Sequence, residues 1–135
     1  MKWAHSLTKL AGHEVETLQK RLAEVADRRL DAELRRTLLD AEAEAELESA
    51  RADPMSAMHH PQFMKGWRVR RDQSDARIAV LLEEEAGARD ALARAFEEQK
   101  KYEHVLELAQ QAKAKAAAKV ETAALDELGL RRKAG

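Results

Sequence analysis

The most regular feature of the chain is an apolar-rich seam in which steps of four and three residues alternate from Trp67 to Glu127. Its members are Trp67, Arg71, Ser74, Ile78, Leu81, Glu85, Ala88, Leu92, Ala95, Gln99, Tyr102, Leu106, Ala109, Lys113, Ala116, Val120, Ala123 and Glu127. A mean step of about 3.5 residues keeps one stripe of a slightly underwound helix turned toward a partner helix. The pattern therefore predicts a long coiled-coil arm, which favours binding over chemistry because an arm offers no pocket.

A second apolar seam lies in the first third of the chain. It consists of Leu7, Leu10, Val15, Leu18, Leu22 and Val25, and then changes phase to Leu30, Leu34, Leu38, Ala41 and Ala45. Such a phase change is a stutter, and we expect it to relax the supercoil locally.

Both prolines of the chain, Pro54 and Pro61, lie between the two seams. Because proline lacks an amide hydrogen and restricts the residue before it, the stretch 53–62 is predicted to be a loop. Helix 1 is then expected at about 4–52 and helix 2 at about 63–128, ending near Gly129, with a frayed tail at 129–135. The predicted fold is all-α, a single domain formed by a long antiparallel two-helix coiled-coil hairpin.

The register of the hairpin can be predicted by placing Ala52 opposite Phe63. Facing residue numbers then add up to about 115. This alignment places the following residues opposite each other: Leu34 and Leu81, Leu38 and Ile78, Leu22 and Leu92, Arg29 and Glu85, and Glu44 and Arg71, with Leu106 between Leu7 and Leu10. Polar pairs in a coiled-coil seam cost stability but fix the register, so we expect these residues to set it.

Helix 2 is expected to overhang helix 1 at its C-terminal end. In the predicted register helix 1 runs out opposite about residue 111, which leaves 112–128 as a single helix. The stretch contains Lys113-Ala-Lys-Ala-Ala-Ala-Lys119, a sequence of high helix propensity. Its larger apolar residues have no intrachain cover and are candidates for contact with another molecule: Val120, Ala124, Leu125 and Leu128.

Composition supports a thin helical fold and argues against several functions. Aromatic residues make up only 4% of the chain and charged residues 36%. Such a chain has too few large apolar side chains to fill a thick globular core. The net charge of −1 provides no global field for nucleic acid, and no segment approaches a membrane span or a secretory signal, so a cytoplasmic protein is expected. No cysteine and no catalytic or metal-binding motif are present, so we expect no enzyme activity, cofactor or metal.

Phe63, Met64 and Trp67 are large apolar residues at the predicted start of helix 2. Phe63 and Trp67 are four residues apart and share one helix face. Two readings remain open: the pair packs into the end of the hairpin and closes it, or it is an exposed aromatic anchor for a partner.

The chain resembles the FliJ/YscO-type stalk family of type III secretion, in particular the flagellar export protein FliJ. The resemblance rests on length, helicity and three stretches: Leu7-x-x-Leu10-Ala11-x-x-Glu14-Val15-x-x-Leu18, Gln62-Phe63-Met64-x-x-Trp67 followed by Gln73, and Leu125-Asp126-Glu127-Leu128.

The resemblance implies a stalk-like rod with defined partners. The end that carries both termini would enter the hexameric ring of the export ATPase FliI and promote its assembly and activity. A second face would bind the export-gate protein FlhA, and export chaperones would bind as well. Carried over by position, the gate-binding residues are Phe63, Trp67, Arg70 and Ser74, although the family prefers small or apolar residues where Arg70 and Arg71 stand. The ring-binding residues are Val120, Ala124, Leu125, Asp126, Glu127 and Leu128.

The implied location is peripheral, at the cytoplasmic face of the inner-membrane export apparatus. Two alternatives stay open at this point. One is the stalk protein of a virulence-type secretion system, and the other is a homodimeric coiled-coil scaffold.

Overall fold

The computed structural model describes residues 2–134, and that part of the chain consists of two α-helices without a strand. Helix α1 spans Lys2–Ala52 and helix α2 spans Pro54–Ala134, so only Asp53 lies between them. The prediction of an all-α two-helix hairpin is confirmed. Neither helix, over residues 2–134, contains a segment with the length and apolar character that a membrane span requires.

The chain divides into two compact units, and both helices contribute to each of them. The first unit contains Met1–Glu16 and Ala93–Gly135, and the second contains Thr17–Leu92. The expectation of a single domain therefore stays a prediction.

In the second unit, the contacts between the helices show antiparallel packing. Hydrogen bonds join Trp67 to Leu39, Asp75 to Arg36 and Glu85 to Arg29. Residue numbers increase along α2 as those of their partners on α1 decrease.

The core is one side chain thick, as the composition predicted. In the second unit, the seam positions of α2 from Trp67 to Leu92 are all buried or half-buried. In the first unit, the same holds from Ala95 to Ala109, and α1 contributes the buried Ala4, Ala11 and Val15. The step pattern identified in the sequence is therefore the packed face of α2 as far as Ala109.

The predicted stutter in α1 is wrong. The buried and half-buried positions of α1 in the second unit contain a seam that keeps one phase throughout: Leu18, Leu22, Val25, Arg29, Ala32, Arg36, Leu39, Ala43, Glu46 and Ala50. Ala26 and Glu33 are half-buried beside this seam. Leu30, Leu34 and Leu38 are instead 55%, 58% and 60% exposed, so Leu34 and Leu38 do not pack against Leu81 and Ile78 as expected. The seam keeps its phase because Arg29 and Arg36 bury their long aliphatic stems while their guanidinium groups bind carboxylates of α2.

The predicted loop at 53–62 is also wrong, because Asp53 alone connects the helices. Its amide donates to the carbonyl of Ser49 at 3.0 Å, which continues the hydrogen bonding of α1. Its own carbonyl accepts from the amide of Ala57 at 3.0 Å, and its side chain accepts from the amide of Met55 at 3.2 Å. The amide of Asp53 therefore makes the last helical hydrogen bond of α1, and its side chain caps the N-terminus of α2.

The two prolines fit this connection for different reasons. Pro54 is the first residue of α2, where the missing amide hydrogen removes no helical bond and the fixed φ suits the helix. Pro61 lies inside α2 and deletes one backbone hydrogen bond there.

The predicted end of helix 2 is wrong as well. The helix passes through Gly129 and continues to Ala134, so 129–134 is helical rather than a frayed tail, while Gly135 lies outside the described residues. No glycine in the described range has a positive φ. Gly129 therefore does not form the left-handed cap on which the predicted stop depended.

Candidate binding surfaces

A buried polar layer lies in the middle of the second unit. The side chain of Glu85 is 8% exposed and accepts hydrogen bonds from Nε of Arg29 and, at 3.3 Å, from its Nη2. Arg89 Nη2 donates to Glu85 at 3.2 Å, and Arg29 also holds Glu33 at 3.1 Å. The structure thus brings the predicted pair Arg29 and Glu85 together.

The hydrogen bonds in this layer set its charge state. The bond from Arg29 lowers the pKa of Glu85, and the same bond raises the pKa of Arg29. Both groups therefore stay ionised at neutral pH, and removing either one would leave the other charge without its partner at a largely buried position. Their role in setting the register stays a prediction.

The second polar pair expected from the sequence does not form. Arg71 Nη2 lies 3.1 Å from Asp72 Oδ1 on its own helix rather than against Glu44. The neighbouring Arg70 makes the contact across the helices, with two bonds of 2.9 and 3.1 Å to Glu42 that lower the pKa of Glu42. The observed register therefore differs from the predicted one by about three residues, less than one helical turn.

Trp67 is packed between the two helices in this part of the seam. It is 7% exposed, and its Nε1 donates to the carbonyl of Leu39 at 2.6 Å. The guanidinium groups of Arg36 and Arg71 lie 5.8 and 5.5 Å from the centroid of its ring, within the range of cation–π attraction. Of the two readings left open for the aromatic pair, the packed one describes Trp67.

The other three residues carried over for gate binding are more accessible. Phe63 is half-buried and stacks on His60 with ring centroids 6.5 Å apart. Ser74 is half-buried, whereas Arg70 is exposed.

Arg70 and Ser74 lie on a groove of about 560 Å³ between α1 and α2. It is lined by Arg28, Asp31, Ala32, Arg35, Leu38, Leu39, Glu42, Arg70, Gln73, Ser74 and Arg77. Four arginines against two carboxylates give the groove a basic excess, which suits an acidic partner segment.

The hydrophobic pair expected to fix the register, Leu22 and Leu92, is half-buried on both helices.

In the first unit, the last part of α2 is a helix without cover from its own chain. Every described residue from 110 to 134 is exposed; this stretch is called the arm below. Val120, Leu125 and Leu128 expose 71%, 63% and 55% of their surface, and Ala124, Asp126 and Glu127 are exposed beside them. Leu130 is 68% exposed and was missed in the sequence because it was assigned to a frayed tail.

Two known proteins are similar to this chain over nearly its whole length. Both are called flagellar FliJ protein, from Caulobacter vibrioides strains NA1000 / CB15N and ATCC 19089 / CIP 103742 / CB 15. Each is 52% identical over 133 residues, which is 98% of this chain and 96% of the relative. The chain belongs to the flagellar FliJ family. No family model and no solved structure matches it.

Membership of the FliJ family confirms the resemblance identified from the three sequence stretches. The similarity is measured over 133 residues, 98% of the chain, so the compared region extends over the arm and the Phe63–Ser74 segment as well as the seams.

Proposed function

We propose that this FliJ-family chain is a non-enzymatic component of the flagellar protein export apparatus that couples the export ATPase to the export gate. The flagellar name of relatives that are 52% identical supports the flagellar setting over the virulence-type alternative. The observation that carries the coupling role is the arm, because it is an ordered helix whose apolar side chains have no partner in their own chain.

The arm binds inside the hexameric ring of the export ATPase FliI. Val120, Ala124 and Leu128 are spaced four residues apart and share one helix face, and Leu125 widens that face. Asp126 and Glu127 add carboxylates that can meet basic groups of the ring. A single rod in a six-membered ring contacts the subunits unequally, so it stabilises different states in different subunits and thereby promotes assembly and turnover.

The segment Phe63–Ser74 binds the export-gate protein FlhA. Phe63, Arg70 and Ser74 offer an apolar ring, a charge and a hydroxyl group at the side of the helix pair, and the basic groove beside Arg70 extends this surface. Trp67 contributes indirectly, because its hydrogen bond to the carbonyl of Leu39 holds in place the part of α2 that carries Phe63, Arg70 and Ser74. Export chaperones bind the same protein, and these partners hold it peripherally at the cytoplasmic face of the inner-membrane export apparatus.

The ring contact is tested by adding the purified protein to the cognate export ATPase and measuring ATP hydrolysis and hexamer formation. We expect stimulation by the natural chain and loss of stimulation with Leu128→Asp. The matched control is Leu108→Asp, since Leu108 is 50% exposed and lies before the arm. Absence of stimulation by the natural chain, or equal loss with both variants, would contradict ring binding by the arm.

The gate contact is tested separately with the purified cytoplasmic domain of the gate protein. We expect Phe63→Ala and Arg70→Glu to weaken binding by about tenfold each, the effect of losing one central anchor. Val80→Ala is the control, because Val80 is 49% exposed on the same helix and lies outside the proposed contact segment. Binding that survives both substitutions would remove this segment from the interface.

A further inference from the structure

Two charged contacts join α1 and α2 along one side of the second unit. Arg70 donates two hydrogen bonds of 2.9 and 3.1 Å to Glu42. Further along the pair, Arg28 lies 3.9 Å from Glu84. The two contacts are separated by the same number of residues on both helices, from 70 to 84 on α2 and from 28 to 42 on α1. This separation is two heptads, so both contacts lie at equivalent positions of the antiparallel pair.

Halfway between these contacts, the same alignment brings two arginines together. Arg77 lies midway between the contacts on α2, and Arg35 lies midway between them on α1. Facing positions of a coiled coil recur every seven residues, so Arg35 and Arg77 lie opposite each other. Both of them line the groove between the helices. The middle position therefore pairs two like charges, whereas the positions on either side pair an arginine with a glutamate.

The chain supplies only one carboxylate to this pair of arginines. Asp31 lies 3.1 Å from Arg35 on the same helix, and the two side chains are 60% and 76% exposed. Glu42, the other carboxylate that lines the groove, is bound to Arg70. Arg77 is exposed and has no hydrogen bond or ion pair with any residue in the range 2–134. One positive charge at this position is therefore left without a counter-charge.

We propose that Arg35 and Arg77 together bind one carboxylate from an acidic segment of the export-gate protein. This partner follows from the gate contact proposed for Phe63–Ser74, on which the proposal rests, because Arg77 lies about one turn beyond Ser74. Guanidinium groups bind carboxylates through paired N–H donors, and two opposed groups can engage both oxygens. A single unmatched positive charge selects an Asp or Glu side chain over a neutral or basic one.

The groove also indicates what lies beside that carboxylate in the partner. Leu38 is 60% exposed, lies about one turn from Arg35 and lines the same groove. A segment that binds over the two arginines therefore also covers this leucine. We expect an acidic residue of the gate protein next to an apolar one, so that the charge gives specificity and the apolar side chain adds buried area.

The opposition of the two arginines is tested in the chain alone by Arg77→Glu. The new carboxylate would face Arg35 and continue the series of opposite charges, so the midpoint of urea unfolding should rise by about 0.3 M. Arg21→Glu is the matched control. Arg21 is exposed seven residues before Arg28, and the same alignment places the uncharged Ala91 opposite it. A midpoint that does not rise for Arg77→Glu, or rises equally for both variants, would overturn the proposal.

The carboxylate contact is tested with the purified cytoplasmic domain of the gate protein. Arg77→Gln and Arg35→Gln should each weaken binding about tenfold. The double variant should lose much less than the product of the two losses, because both side chains hold the same carboxylate. Arg77→Lys keeps the charge without the paired donors and should lose about threefold. Arg21→Gln should bind like the natural chain. Losses that multiply, or an equal loss with Arg21→Gln, would contradict a shared carboxylate.

A short oligoglutamate peptide tests the arginine pair without the gate protein. In NMR spectra of the full chain, the side-chain Nε–Hε signals of Arg35 and Arg77 should shift on addition of this peptide and not on addition of oligoglutamine. Inorganic phosphate at equal ionic strength should shift them less, and a larger shift with phosphate would overturn the assignment to a carboxylate. Peptide shifts without any binding of the gate domain would refute the gate contact alone. Gate binding with neither peptide shifts nor loss in Arg77→Gln would refute the arginine site alone.

Discussion

Leu81 provides the most direct test of the packed seam. It is 1% exposed and lies in the second unit, whereas the next residue, Leu82, is 49% exposed on the same helix. Replacing each leucine by alanine removes the same atoms and changes helix propensity by the same small amount. The pair of variants therefore isolates the contribution of burial at one position.

The expected loss for Leu81→Ala is about 3 kcal/mol in the free energy of unfolding. Removing the buried carbon atoms forfeits roughly 2 kcal/mol of transfer free energy, and the cavity left behind adds to it. The total lies in the lower part of the observed range for such substitutions because the core is one side chain thick and water can reach the gap. Leu82→Ala should cost less than about 0.5 kcal/mol.

Urea unfolding followed by circular dichroism at 222 nm measures both values. With an m-value of about 1.5 kcal/mol/M, the midpoint of Leu81→Ala should fall by about 2 M urea, and that of Leu82→Ala by a few tenths. Equal shifts for the two variants would refute the assignment of Leu81 to the packed face, and with it the phase of the α2 seam in this unit.

Three further predictions concern the polar groups. Hydrogen bonds from Arg29 and Arg70 lower the pKa of Glu85 and Glu42, so their contribution to stability should be complete above about pH 4.5 and disappear as the pH falls through the lowered values. Thermal melts taken through this range check it, and a profile unchanged by Glu85→Gln would argue against Glu85 as a source. Glu85→Lys should lower the urea midpoint because it opposes Arg29, and adding Arg29→Glu should restore part of the loss; failure of any rescue would mean that the pair is not coupled. Asp53→Ala should cost about 1 kcal/mol in the same titration and Asp53→Asn much less, since asparagine also caps; equal costs would contradict the capping role.

Sequence periodicity predicted the packed face of α2 well because that face repeats without interruption from Trp67 to Ala109. It failed on α1 because two rows compete there. The row of leucines is the more apolar of the two, yet the row that contains Arg29 and Arg36 forms the seam, because the arginine stems pack there and their guanidinium groups bind carboxylates. The positions of the acceptor carboxylates on α2 decide which row packs. The sequence of α1 alone does not contain those positions.

The connection between the helices was missed for a local reason. Two prolines close together in the sequence suggest a loop, but the effect of each proline depends on its position within a helix. Pro54 follows a capping Asp53, the arrangement in which proline favours a helix start. Reading Asp-Pro as a helix start would have found the true connection, whereas Pro61 inside α2 is a departure from propensity that the local sequence does not predict.

The exposure of the candidate binding residues could be predicted only in part from the sequence. The exposure of the arm follows from counting residues in an antiparallel pair, and an error of about three residues in register moves its start only slightly. Trp67 illustrates the opposite case, because its position on the helix was correct while its burial depended on the carbonyl of Leu39.

The exposure of the arm has a thermodynamic consequence. A helix that buries no side chain gains nothing from the cooperative unfolding of a core, so its helicity depends on temperature and on distance from its free end. The preceding turns of α2 already provide the nucleus, and fraying therefore advances from Ala134 inward rather than starting along the stretch. Heating should remove the arm's helical signal gradually, below the sharp transition of the paired helices. A partner that binds residues near 128 must also refold any frayed turns of the arm. Its affinity should therefore fall with temperature more steeply than the contact area alone would predict.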